Sequence, residues 1–177
     1  MYKEEDFNNE YVLQVAKKMC VAARTAPKAR GTDNLVIRVC DKKDIAKISK
    51  QLVKDYKMTD GKEEFLLRDS KNILSANYLV LIATKNSPLG LNCGYCGFET
   101  CAMKNKTNKN IPCFFNSEDL GLAIGSAVSV CADARVDNRI MFSAGRVASR
   151  LNMVEGCIQC LAISLSAEAK NPFFDRK

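Results

Sequence analysis

The cysteines are the residues of this sequence whose type and spacing can do chemistry. Nine occur in a chain of 177 residues, and four of them fall between residues 93 and 113: Cys93, Cys96, Cys101 and Cys113. The residues between them are rich in Gly, Asn and Lys, which predicts a loop rather than a core element. Thiolates are soft ligands, so a loop that presents four of them is typical of a soft metal centre.

The spacing of these thiols favours an iron–sulfur cluster. A Cys-x2-Cys pair can wrap a short turn around one cluster edge, and Gly94 and Gly97 directly follow the first two cysteines. Glycine allows a positive φ and lets backbone N–H groups approach sulfur, where they help to set the reduction potential. Lys104, Lys106 and Lys109 follow in the same stretch and suit an anionic cluster.

Three other interpretations of the four thiols stay open. A structural zinc site usually shows two Cys-x2-Cys knuckles, or one knuckle and a His pair, and this chain has no histidine. A disulfide requires an oxidising compartment, of which the sequence gives no sign. Unligated thiols at this density would all be open to oxidation together.

The motif Cys93-x2-Cys96-x4-Cys101 with Cys113 resembles the four-cysteine [4Fe-4S] domain of several anaerobic redox proteins, with a shorter spacing to the last cysteine. The whole chain is similar to a family of uncharacterised prokaryotic proteins described as containing a ferredoxin domain. The matching stretches are residues 22–34, 119–127, 136–143 and 171–176. This resemblance implies an iron–sulfur protein, and it supplies no known reaction.

Length and composition predict one globular domain over residues 1–177, with residues 90–114 as an inserted cluster loop. The first residues are acidic and polar, unlike an export signal, and no apolar run approaches the ~20 residues that span a bilayer. We therefore expect a cytoplasmic protein with reduced thiols and no membrane contact. The absence of histidine excludes Ser-His and Cys-His nucleophiles and Rieske ligation.

A basic segment is the second candidate site. Five cations and no acid occur between Tyr11 and Thr32: Lys17, Lys18, Arg24, Lys28 and Arg30. A solvated basic face explains them, and an anion site with Arg binding a phosphate is the functional alternative. The net charge of +7 also favours anionic ligands. The run lacks interleaved aromatic residues, so nucleic acid is a poor candidate partner.

Residues 24–34 of that segment resemble the flavin-binding turn of the nitroreductase fold. The resemblance implies that Arg24, Lys28 and Arg30 contact the phosphate or ring of FMN, and that Asn34 hydrogen-bonds the flavin ring. Two features depart from that pattern: the preceding Arg-x-Ser-x-Arg motif is missing, and Lys28 stands where a Ser is usual. By analogy with the fold, a homodimer is implied.

The remaining sequence predicts the elements that position these sites. Helical periodicity indicates helices over 9–26 (capped by Asn8 or Asn9), 65–76, 118–134 (capped by Ser117) and 145–151. A further helix follows its cap Asp41, with Ile45, Ile48, Leu52 and Tyr56 as its buried stripe. β-Branched and apolar runs indicate strands over 35–40, 78–83, 140–142 and 157–166. The order fits an α+β fold: a three-layer nitroreductase-like domain with an inserted iron–sulfur loop.

Cys157 and Cys160 form a second Cys-x2-Cys pair within a predicted strand. Residues three apart on a strand face opposite sides, about 10 Å from each other, so these are expected to be core thiols rather than a metal or redox pair. The aromatic tail, with Phe173 and Phe174, is a candidate to reach across a dimer partner or to cover a cofactor.

Two functions follow from these patterns. The first is an iron–sulfur redox protein that works as a flavin-linked reductase, passing electrons between cluster, flavin and a small substrate. The second is a non-catalytic cluster- or zinc-binding protein, such as an electron carrier or a redox or iron sensor. No catalytic side chain, substrate or electron partner can be named from the sequence.

Overall fold

A four-stranded antiparallel sheet forms the centre of the computed structural model, which describes residues 1–108 and 110–174, apart from the side chains of Glu5 and Asp6. The strands are β1 (Leu35–Cys40), β2 (Tyr78–Lys85), β3 (Asp137–Met141) and β4 (Cys157–Ser166), in the spatial order β1-β2-β4-β3. Ile82 of β2 pairs with Ile37 on one side and with Leu161 on the other. β2 and β4 are therefore the central strands.

In the described part of the chain, five α-helices cover the two faces of the sheet and a sixth lies within the inserted loop. They are α1 (Glu4–Thr25), α2 (Lys42–Met58), α3 (Glu64–Asn72), α4 (Cys101–Thr107), α5 (Phe114–Asp133) and α6 (Phe142–Arg150). α1 and α5 pack on one face around Met19, Val80 and Ala127. α2, α3 and α6 pack on the other face, around Leu52 and Leu81. This arrangement confirms the predicted three-layer α+β fold.

The local sequence signals place most of these elements correctly. Residues Leu79 to Ala83 of β2 are completely buried, as expected of an apolar strand that is covered on both faces. The Asp41 carboxylate accepts hydrogen bonds from the Lys43 and Asp44 amides at 2.8 and 3.0 Å. Asp41 therefore caps α2 as predicted, by satisfying amides that have no partner within the helix.

Two predicted helix caps are wrong. α1 begins at Glu4, so Asn8 and Asn9 lie inside it, where they donate to the Ala167 carbonyl and the Tyr78 hydroxyl. α5 begins at Phe114, so Ser117 also lies within a helix, and its hydroxyl donates to Gln159 at 2.8 Å. In each case a distant tertiary partner takes the polar side chain that the local pattern assigns to a cap.

The prediction for the second Cys-x2-Cys pair is half right. Lys85 pairs with Cys157 and Thr84 with Gln159, so the β4 residue between them is an extra one at a β-bulge. The bulge shifts the alternation of side chains, and both cysteines pack against the core formed with α2, α3 and α6 rather than on opposite faces. They are core thiols: burial raises the pKa of Cys160 to about 12.

The aromatic tail packs within its own chain. Phe173 is fully buried, and its backbone carbonyl accepts hydrogen bonds from the Asn72 side-chain Nδ2 at 3.1 Å and from the Arg139 guanidinium. The Arg139 guanidinium also lies 5.3 Å from the ring centroid of Phe174. Phe173 is therefore part of the core, whereas Phe174 is 55% exposed, and the suggestion that the tail reaches a partner or covers a cofactor stays a prediction. Residues 175–177 lie outside the described part. Among the described helices, none has the length and apolar character that crossing a membrane requires.

Candidate metal centre

The cysteine-rich loop connects the end of the central strand β2 to the start of α5. Its turn is closed by a hydrogen bond from the Gly97 amide to the Gly94 carbonyl, at 2.8 Å. The loop then forms the short helix α4, capped by the Thr100 hydroxyl, which accepts from the Met103 amide at 3.1 Å. Sequence reasoning missed this helix, although a Thr directly before Cys101 is a recognisable N-cap signal.

The two loop glycines take the backbone conformation that the sequence predicts for them. Gly94 has φ 75° and Gly97 has φ 85°, in the left-handed region that disfavours other residues. Nothing lies within 4 Å of the position a Cβ would occupy at either residue. The glycines are therefore required by backbone conformation and not by crowding.

The four loop thiols are uncommitted. Cys93, Cys96 and Cys101 are half-buried, Cys113 is 5% exposed, and none of the four forms a disulfide. Across residues 1–108 and 110–174, no side-chain hydrogen bond involves their sulfur atoms, and no three Cys, Asp or Glu side chains are grouped closely enough to hold a metal. By its chemistry, the set of four thiols fits a thiolate-bound metal group.

Two asparagine side chains orient the backbone of the ligand candidates. The Cys101 amide donates to Asn92 Oδ1 at 2.9 Å, and the Cys113 amide donates to Asn86 Oδ1 at 3.3 Å. Asn86 directly follows β2, and its side-chain Nδ2 donates to the Ile111 carbonyl at 2.9 Å. This residue therefore joins the exit of the central strand to the end of the loop. Sequence reasoning missed it; a polar residue at the end of an apolar strand is the signal that marks it.

The three loop lysines differ in their surroundings. Lys104 is 1% exposed and is the buried residue of α4, whereas Lys106 is exposed. The Lys104 ammonium donates to Asn86 Oδ1 at 3.0 Å, the same atom that accepts from the Cys113 amide. Lys109 lies outside the described residues. A cation is therefore buried beside one of the predicted ligands.

An aromatic cluster, also missed from the sequence, joins the glycine turn to the start of α5. The ring of Tyr95 lies 5.0 Å from that of Phe114 and 6.2 Å from that of Phe115, between centroids. Tyr95 is nevertheless 68% exposed. These contacts hold the turn that carries Cys93 and Cys96 close to the helix that follows Cys113.

The predicted flavin contacts at the end of α1 are occupied within the protein. Arg24 forms an ion pair with Asp33 at 2.6 Å and donates to the Leu35 carbonyl. The Lys28 ammonium donates to the carbonyls of Ala23, Arg24 and Ala26, which closes the C-terminus of α1. Burial by itself would raise the pKa of Asp33, but hydrogen bonds from Arg24 and from the Leu35 backbone amide outweigh it and hold the pKa below its ordinary value.

The remaining two predicted flavin residues connect this segment to the cysteine loop. Arg30 donates to the Leu89 carbonyl at 2.7 Å, and Asn34 to the Ser87 carbonyl at 3.5 Å. Each of the four side chains thus donates at least one hydrogen bond within the protein. The hydrogen bonds of Arg30 and Asn34 fix the backbone at the start of the cysteine loop. Contact of the four side chains with flavin stays a prediction.

Comparison with known proteins gives two kinds of likeness. A family model described as an uncharacterised protein containing a ferredoxin domain matches residues 109–176. An uncharacterised protein from Archaeoglobus fulgidus is 35% identical over 183 residues, which cover 99% of this chain and 97% of that protein. The family match includes Cys113, and the archaeal relative extends the likeness over the whole loop.

Among solved structures, the chain is similar to a nitroreductase with bound FMN from Bacteroides fragilis. The TM-score is 0.58 at 10% identity, over 89% of this chain and 79% of that one. A BluB-like flavoprotein from Clostridium difficile gives a TM-score of 0.54 at 18% identity, over 93% and 84%. These likenesses show that the fold is nitroreductase-like, and at such identities they show the fold alone.

Proposed function

Because this chain belongs to the family of uncharacterised proteins that contain a ferredoxin domain, we propose that it is an iron–sulfur redox protein. In this proposal Cys93, Cys96, Cys101 and Cys113 hold a [4Fe-4S] cluster. The observation that carries it is a loop of four thiols with neither a disulfide nor a hydrogen bond among the described residues, built on positive-φ glycines. When bound, such a cluster supplies one-electron transfer.

The chain's own residues contribute orientation and access. Asn92 and Asn86 fix the amides of Cys101 and Cys113, so the backbone at two ligands is set before metal binds. The other ligand-bearing turn is held by the aromatic contacts of Tyr95. Since three of the four cysteines are only half-buried, a group held there lies near the surface, where a redox partner can approach it.

Metal binding is coupled to closure of the loop in this proposal, because the sulfurs are not yet gathered into a metal-sized group. The test is reconstitution of the full chain with iron and sulfide without oxygen, followed by iron and labile-sulfide analysis and electron paramagnetic resonance of the reduced protein. About four iron and four sulfide per chain are expected for this cluster type. Oxygen-free protein with neither iron nor labile sulfide would refute the proposal, and tight binding of one zinc instead would support the zinc-binding alternative.

A flavin-linked reductase acting on a small substrate is the second candidate. The observation that favours it is the fold, which is shared with structures that contain FMN. Anaerobically purified protein titrated with FMN decides between the two: one flavin per chain supports the reductase, and no binding leaves a non-catalytic electron carrier or a redox or iron sensor. Flavin binding through the basic turn would compete with the hydrogen bonds that Arg24 and Arg30 make within the protein.

We also propose that the protein is a cytoplasmic homodimer. Nine free cysteines support a reducing compartment, and exposed apolar side chains on α1 and α5, Val21 and Leu122 among them, support association of two copies. Light scattering across a concentration series and cell fractionation test the two statements separately. A monomer at high micromolar concentration would contradict the proposed homodimer.

A further inference from the structure

The cysteine loop contains a buried cation that has no carboxylate beside it. Lys104 is 1% exposed, and among the described residues no Asp or Glu oxygen lies within 4.0 Å of its ammonium. Its hydrogen-bond acceptor is the neutral amide oxygen of Asn86, at 3.0 Å. Burying an ammonium against neutral partners is unfavourable unless a negative charge is nearby.

A second buried donor lies next to it. Asn116 is 1% exposed, its Oδ1 accepts from the Ser87 amide at 2.9 Å, and its Nδ2 has no hydrogen-bond partner among the described residues. Ser87 is the residue after Asn86, so Lys104 and Asn116 are hydrogen-bonded to adjacent residues at the exit of β2. An unpaired buried donor is unfavourable, and an acceptor at this place would remove that cost.

The two donors stand in the same relation to two of the predicted ligands. Lys104 follows Cys101 by three residues on α4, and Asn116 follows Cys113 by three residues at the start of α5. Residues three apart lie on one face of a helix. The common acceptor Asn86 Oδ1 further connects the Lys104 ammonium to the Cys113 amide. Lys104 and Cys101 therefore share one side of α4, whereas Cys113 is the N-cap of α5 and is linked to Asn116 through the adjacent residues Asn86 and Ser87.

From this arrangement we infer that Lys104 is the buried counter-charge of the anionic metal–thiolate group held by the loop, and that Asn116 Nδ2 donates a hydrogen bond to the same group. The inference rests on the proposed function, because it requires the thiolates to hold a metal. It assigns positioning roles and not catalytic ones. A cation and a donor next to the group favour its more negative, reduced state, and they also favour retention of the metal.

The test compares Lys104→Met with Lys106→Met, an exposed lysine two residues later on the same short helix. Asn116→Asp is the second variant: it keeps the oxygen that accepts from Ser87 and replaces the donor by an anion. In iron-loaded protein reduced by one electron from dithionite, the midpoint potential of Lys104→Met and Asn116→Asp should be lower than in the wild type. Metal loss to a chelator should be about tenfold faster, since a hydrogen bond to a charged group is lost. Lys106→Met should match the wild type in both measurements.

Thermal unfolding of metal-free protein separates this role from ordinary packing. Without metal, Lys104→Met should be at least as stable as the wild type, because it removes a buried and uncompensated charge. Equal destabilisation of the metal-free and loaded forms, with an unchanged potential, would overturn the inference. If the wild type loads iron and the variants do not differ from it, this inference fails and the proposed function stands. If the wild type loads only zinc, the rate of zinc loss to the chelator tests the inference: faster loss from the two variants supports it, and equal rates refute it. A wild-type chain that binds neither metal would refute both.

Discussion

The cysteine loop and the basic turn at the end of α1 are both rich in groups that bind cofactors, yet they differ in whether those groups have partners within the protein. Arg24, Lys28 and Arg30 all donate to carbonyls or to Asp33 within the chain. In the described chain, the four loop thiols have no such partners. The comparison teaches that residue type alone does not show whether a side chain is available to a ligand; its intramolecular partners do.

The two regions are also joined to each other. Arg30 and Asn34 hold the carbonyls of Leu89 and Ser87, and the Ala29 amide donates to Asp119 on α5 at 2.9 Å. The basic turn therefore fixes both the start of the loop and the helix that follows it. Substitutions in the turn should act on the proposed metal centre by shifting the backbone of the loop and not by direct contact.

The largest effect is expected from the thiols. Serine at Cys93, Cys96, Cys101 or Cys113 should abolish or strongly reduce cluster content after anaerobic reconstitution, because the hydroxyl is a poor replacement for a soft thiolate ligand. Cys20→Ser, at a half-buried thiol on α1, is the matched control and should retain full iron. Iron and sulfide analysis measures both. Full iron in all four loop variants would remove the contrast between the regions.

The loop glycines should give the next largest effect. Gly94→Ala or Gly97→Ala forces an alanine into a positive φ at a cost of about 1–2 kcal/mol, without a steric clash. The fold should survive, and iron retention against a chelator should fall by up to about tenfold. Gly121→Ala, on an exposed and uncrowded part of α5, should instead leave retention unchanged and raise the melting temperature slightly. Equal retention in all three variants would contradict a conformational role for the turn.

A smaller effect is expected from the hydrogen bond by which Arg30 fixes the start of the cysteine loop. Arg30→Ala removes the hydrogen bond to Leu89, worth about 1–3 kcal/mol for a charged donor, and should speed hydrogen exchange over residues 86–91. Lys17→Ala, at an exposed cation in the same basic run, is the control and should leave exchange unchanged. If Arg30→Ala instead abolishes FMN binding and leaves exchange untouched, the turn is a flavin site and the contrast with the loop is broken.

The smallest effect is expected from acid. The folded-state pKa of Asp33 lies below its ordinary value of 3.8, so the carboxylate stabilises the fold above that value, and this contribution is lost as the pH falls through the folded pKa. The pair is partly exposed, so its loss should cost under about 1 kcal/mol. Asp33→Asn should remove this part of the acid dependence in thermal unfolding between pH 5 and pH 2, roughly the range over which an Asp titrates. Identical pH profiles for wild type and variant would show that the ion pair contributes nothing.

Much of the fold could be predicted because its signals are local. The β-branched run at 35–40, the fully apolar strand after Tyr78 and the Asp41 cap each depend on neighbours within a few residues, and each was confirmed. The position of the loop and the left-handed glycines at 94 and 97 followed in the same way. Bulges and helix starts could not be predicted so well, because pairing with Thr84 and Lys85, and not the β4 sequence itself, inserts an extra residue in that strand.

By itself, the sequence determined where four soft ligands lie along the chain and which residues let the backbone turn around them. The tertiary structure alone decided that Lys104 is buried, that Asn116 Nδ2 has no hydrogen-bond partner among the described residues, and that the basic turn is hydrogen-bonded to the protein. The physical reason is distance along the chain: Lys104 meets Asn86 across 18 residues and Ala29 meets Asp119 across 90. Contacts of that span are set by how the layers pack, which no local pattern of residues encodes.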